Sequence, residues 1–202
     1  MKKTTLAITL VAAAGLALPA LAGDRNQTLG SGKATLAQLV AASGGDFDNR
    51  WYDYDLLLNA VKDADLVYAL NDPTVDWTLF APNDLAFIRL ARDLGYGGID
   101  EEGAFGFIVD ALTQLGGGDP IPVLTDVLLY HVAPTSLSPV EVIFSSSIDT
   151  LLDGATIRPL LLTLRDNEPD LADPQLRFPI NKKASNGVLH TINRVLIPVD
   201  LP

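Results

Sequence analysis

The sequence predicts an α+β fold, on three observations. Apolar residues recur at helical spacing through the first part of the chain, and the carboxyl-terminal half carries apolar and β-branched runs bounded by turn signals. No strand-helix-strand alternation of the doubly wound nucleotide-binding kind connects them, so helices come first and strands later. With 202 residues, and about 150 per domain as the working prior, one domain accounts for the chain. A chain of this size buries roughly 70% of its unfolded surface and needs neither disulfide nor metal to hold a core. The absence of cysteine excludes disulfides, thiolate nucleophiles and cysteine-ligated zinc or iron-sulfur centres.

The elements follow in order. Lys2 and Lys3, the apolar stretch Leu6 to Leu18, and Pro19 followed by Ala20-Leu21-Ala22 read as a signal peptide over residues 1–22. Gly15 and Pro19 interrupt the apolar stretch, which is too short for a spanning helix, so no transmembrane anchor is expected after cleavage. The mature chain would carry 12 basic and 25 acidic residues, a net charge of -13. Such a surface disfavours polyanions, and nucleic acid is not expected as a partner. Residues 23–33 lack periodicity and read as a flexible lead-in to a domain over 34–200. The sequon Asn26-Gln27-Thr28 lies in that lead-in and is assigned no function.

Helical spacing then begins. Leu36, Leu39 and Val40 form a short run ending at Gly44-Gly45, and Leu57, Ala60, Val61 and Ala64 recur at i, i+3, i+4, i+7. Phe87, Leu90, Ala91 and Leu94 repeat that pattern behind Asn83, a natural N-cap. Phe105, Ile108, Val109 and Leu112 do so again, and Leu124, Val127, Leu128 and His131 make a fifth face. Ser138-Pro139-Val140-Glu141 is a capping box with proline at the first helical position, which starts a short helix.

Strands lie between and after. Trp77 to Phe80 is a short apolar run closed by Ala81-Pro82; Asp153-Gly154 separates two more apolar stretches; Asn186-Gly187 introduces an alternating segment from Val188 to Ile197.

Three stretches carry a resemblance when taken together: WTLFAPNDLAF at 77–87, LLYHVAP at 128–134 and NGVLHTINRVLIP at 186–198. In that order and at those separations the chain resembles the fasciclin domain over about residues 34–198. The resemblance implies a wedge-shaped β-sandwich with packed α-helices, and a non-enzymatic role in adhesion. The sequence departs from the family pattern in a longer stretch from Gly95 to Pro122, an extended 163–178, and Asn193 where Asp is common. The place tied to integrin binding in animal members reads about Lys183-Ala184, so integrin recognition is not carried over.

Candidate sites follow from both lines. His131 and His190 fall on inward-pointing positions, where a neutral imidazole hydrogen-bonded through both nitrogens is expected, and no ligand spacing makes them a metal site. The resemblance offers Tyr130 and His131 as adhesion contacts, which needs Tyr130 exposed. Phe47, Trp51, Tyr52 and Tyr54 interleave with Asp46, Asp48, Asp53 and Asp55. These aromatics either anchor a loop to the core, the favoured reading, or present a recognition surface in which Trp51, Tyr52 and Tyr54 bind. Asp166, Glu168, Asp170 and Asp173 crowd one loop, but Leu171 and Arg177 stand where an EF-hand needs Gly and Glu, so a solvated acidic loop is favoured over calcium bridging. Phosphate-cradling, nucleophile-elbow and His-Glu-x-x-His patterns do not occur, and no cofactor or catalytic residue is assigned. The sequence thus points to a secreted or periplasmic module binding a cell-surface or matrix protein or polysaccharide. The alternative is a carrier of an apolar small molecule such as a carotenoid or lipid, with Phe105, Phe107, Ile108, Val109, Leu112 and the aromatic segment walling a groove.

Overall fold

The structure, a computed structural model, describes residues 34–43 and 45–199. The expected signal peptide, lead-in and sequon, and residues 200–202, lie outside the described residues. Seven helices are described: α1 (Leu36–Ala41), α2 (Asp55–Asp63), α3 (Val67–Leu70), α4 (Asp84–Asp93), α5 (Glu101–Leu115), α6 (Ile121–Tyr130) and α7 (Pro139–Phe144). The strands are β1 (Trp77–Pro82), β2 (Val132–Ala133), β3 (Ile148–Asp149), β4 (Thr156–Leu160), β5 (Thr163–Arg165), β6 (Leu176–Ala184) and β7 (Gly187–Ile192).

Local signals explain the helix starts. Asn83 accepts from the Ala86 N–H, and Ser138 with Glu141 closes both hydrogen bonds of the predicted capping box, with Pro139 opening α7. Thr35 and Gln38 form a second capping box at α1, which the sequence reading did not single out.

One sheet has the order β2-β1-β7-β6 and the other β3-β4-β5. Strands β1 and β7 run parallel, Trp77 opposite Gly187 through Pro82 opposite Ile192, although more than a hundred residues separate them in sequence. The two faces of this central pair bury different cores. Leu79, Ala81 and Leu189 pack with α1, α2, α4, α5 and α6, while Phe80 and Ile192 pack with Ile148, Ile157 and Leu164 of the second sheet. The architecture is the expected α+β sandwich with helices packed against it. All six residues of β7 are buried, so the alternation expected from Val188 onward gives way to a strand covered on both faces, ending at Ile192.

Strand β6 pairs antiparallel with β7, with an irregularity in register between Arg177 and Lys182. The Asn-Gly pair sits at their junction for two physical reasons. Asn186, buried, accepts from the Leu36 N–H and donates to the carbonyls of Leu70 and Asp72, so one amide ties α1, α3 and the approach to β1 together. At Gly187, with φ at 146°, a Cβ would lie 2.0 Å from the Trp77 carbonyl oxygen, a contact only glycine permits.

Candidate functional site

The histidine motifs resolve first. His131 Nδ1–H donates to the Val127 carbonyl at 2.7 Å and Nε2 accepts from the Leu196 N–H at 2.9 Å, which fixes the neutral ring with its proton on Nδ1. Burial pushes its pKa down to about 4. His190 takes the opposite tautomer: Nδ1 accepts from the Asn181 N–H and Nε2–H donates to the Leu137 carbonyl, with burial again lowering its pKa. Both rings are fully engaged struts, and neither has a nitrogen left for a metal or a proton-transfer role. Tyr130 corrects the reading that offered it as an exposed contact. It is buried, with its hydroxyl donating to the Thr156 carbonyl at 2.9 Å, and so links α6 to β4; it has no surface to present.

The aromatic segment divides into anchors and exposed rings. Phe47 packs on Phe105 with ring centroids 5.8 Å apart. Tyr54 is buried and shares a 2.6 Å hydrogen bond with the Thr191 hydroxyl, which corrects its place among the binding candidates. Between these anchors, Trp51 and Tyr52 are 38% and 75% exposed and border a shallow concavity with Asn49, Arg50 and Asp53. The backbone under them is held: Asp84 and Leu85 at the start of α4 donate their N–H groups to the carbonyls of Asp53 and Trp51. Phe178 at 89% exposure, Phe144 and Tyr68 are other outward-facing aromatics that sequence reasoning missed. Nothing local in the sequence signals which way such a ring turns.

Beneath loop 45–54 lies a group of carboxylates. Asp55, Asp84 and Glu101 are the first residues of α2, α4 and α5, so three helix amino termini, whose partial positive charge favours acids, converge there. Asp84 Oδ1 and Oδ2 accept from the Leu56 and Asp55 N–H groups and thereby cap α2, whose own N-cap, Tyr54, makes no side-chain cap. Glu101 Oε2 accepts from the N–H of Asn49, a residue at positive φ (63°), and Asp55 Oδ1 accepts from the Gly45 N–H. The other oxygens, Asp55 Oδ2 and Glu101 Oε1, are buried with no hydrogen-bond donor among the described residues, and so is Asp53 Oδ1. Burial, reinforced by the charge of Asp53, raises the carboxyls of Asp55 and Glu101 above the usual range. Asp84 is pushed to about 9, first by burial and then by its hydrogen bond with Asp53.

The predicted acidic loop is of another kind. Asp166 Oδ1 accepts from the Glu168 N–H and Oδ2 from the Ile197 N–H, and Glu168 Oε1 accepts from the Asp170 N–H. Asn193 accepts from the Gln175 N–H through its side-chain oxygen. The predicted apolar groove is filled: Ala104 and Ile108 are buried in the main core, against which Phe105, Phe107 and Leu112 pack. An apolar cavity lined by Leu57, Val61, Leu66 and Trp77, among others, holds about 20 Å³, room for one water and not for a pigment.

The fold, the paired β1 and β7 motifs and the two buried histidines define a fasciclin-type domain. The Fasciclin domain family model matches residues 53–198, and the chain belongs to that family. Among solved structures it is similar to a FAS1 domain pair from the insect cell adhesion molecule Fasciclin I, with a TM-score of 0.54 and 16% identity over 81% of this chain. The match covers 51% of that structure, so this chain spans about half its length. No curated protein sequence matches this chain. Helix α1 lies outside the family match yet packs on α2, α3 and β7. Much of loop 45–54, with Asp48 and Trp51, likewise precedes the matched span.

Proposed function

We propose that the protein is a secreted or periplasmic, non-enzymatic binding module that attaches to a cell-surface or matrix protein or polysaccharide through Trp51 and Tyr52. One observation carries the reading: two exposed aromatics stand on a loop whose backbone and neighbouring rings are pinned to the core. Large rigid rings on an ordered support lose little conformational freedom on binding and are the side chains that dominate interface energetics. Fasciclin domains are generally binding and adhesion modules and typically extracellular, which supports the assignment. No described helix is long and apolar enough to cross a membrane. Transport out of the cytoplasm rests on the leader pattern at residues 1–22.

The test is attachment. Cells lacking the protein should adhere and form biofilm less well, and complementation with a Trp51→Ala/Tyr52→Ala double variant should fail to restore adhesion although the variant folds. Unchanged attachment of the deletion strain would contradict the proposal.

A further inference from the structure

We propose that Asp48, Asp55 and Glu101 bind a divalent cation of the calcium type, which locks loop 45–54 onto the start of helices α2 and α5. This inference goes beyond the adhesion reading and stands independently of it.

The first observation is convergence. Asp48, Asp55 and Glu101 each bring a carboxylate oxygen within 4.8 Å of the others. Two oxygens on one calcium ion, each at 2.3–2.6 Å, lie at most about 5 Å apart, so these three fit around a single ion. The second observation is the orphaned oxygens. Asp55 is 1% exposed and Glu101 0%, yet Asp55 Oδ2 and Glu101 Oε1 have no donor among the described residues. Their other oxygens hold the Gly45 and Asn49 N–H groups, which fixes each carboxylate and leaves one buried oxygen of each uncommitted. Helix amino termini ease the burial of such charge but supply no donor to these two atoms.

Among the described residues the two buried acids, Asp55 and Glu101, have no ion-pair partner. Arg50 pairs with Asp48 at 3.3 Å from the solvent side, and the other pair, Arg194 with Asp93, involves none of these acids. Asp53 and Asp84 also approach Glu101. Both Asp84 oxygens already cap α2, so Asp84 offers no free ligand, and with its carboxyl pushed up to about 9 it keeps its proton near neutral pH. Asp48 is exposed and leaves a route by which an ion could enter from solvent. An all-oxygen donor set points to a hard cation. Its irregular arrangement, drawn from a loop and two helix starts, suits the flexible coordination of calcium better than the near-octahedral shell magnesium demands.

Calorimetry on the full chain, stripped with chelator and titrated with calcium chloride, tests this. The expected result is one saturable ion per chain with Kd at or below about 1 mM, the range of extracellular calcium modules. Glu101→Gln, which keeps shape and removes the charge, should weaken binding about 100-fold, since affinity follows the charge of the ligand set. Asp55→Asn should act likewise and serves if the first variant does not fold. Absence of saturable binding at 10-fold higher calcium, unchanged affinity in both variants, or equal affinity for magnesium would each overturn the proposal. Unchanged attachment of the deletion strain, with saturable cation binding intact, would instead count only against the proposed function.

Discussion

Two acidic regions of this chain look alike in sequence and differ in what their oxygens do. In the loop at 166–173, Asp166 engages both carboxylate oxygens with main-chain N–H groups and fastens that loop to Ile197. Under loop 45–54, Asp55 and Glu101 engage one oxygen each and leave the other buried with no donor among the described residues. Density of acids therefore does not distinguish a structural carboxylate from a candidate ligand; unfilled buried acceptor capacity does.

The largest effect to separate from this comparison is acid destabilisation by His131. Its folded pKa, near 4, lies below the ordinary 6.5, so the unfolded chain binds the proton more readily. The neutral ring's contribution is complete above about pH 6.5 and is lost as pH falls toward 4, about 3 kcal/mol in all. Denaturant titrations across that window should show the slope, and His131→Gln should flatten it. The two acidic regions are then best compared above pH 7.

Next comes Asp166→Ala, which strands two main-chain donors and should cost about 2 kcal/mol by urea unfolding, equally with and without calcium. A calcium-dependent loss would erase the contrast. Smaller again is the stabilisation of the wild-type chain by calcium, about 1.4 kcal/mol at tenfold excess over Kd, which should vanish in Glu101→Gln. In the absence of divalent ions that variant should be no less stable than wild type, because it removes an unpaired buried charge. Smallest are Trp51→Ala and Tyr52→Ala, exposed positions expected to shift stability by no more than about 0.5 kcal/mol while weakening adhesion. A large stability loss there would make the rings anchors rather than contacts.

Much of the fold was legible because its signals are local. Asn83 and the Ser138 capping box act within one turn of their helices, and the buried histidines sit on inward-facing positions. What escaped was set by distant partners. Strand β6, reading LRFPINKKA and mostly outward-facing, has almost no apolar alternation and exists through its pairing with β7. Helix α3 has four residues, too few for a periodicity. Tyr130 lies in an interpretable motif, yet only the position of Thr156 across the sandwich shows that its ring turns inward. The carboxylate group was illegible for the same reason. Its members come from a loop and two helix starts, so no linear spacing announces them, whereas Asp166 to Asp173 announce themselves and use their oxygens at home.

Amide hydrogen exchange of the full chain during a calcium titration tests the contrast most directly. Protection should rise at Gly45 and Asn49, whose N–H groups are held by the proposed ligands, and stay constant at Glu168 and Ile197, held by Asp166. Protection rising at the second pair, or at neither, would contradict it.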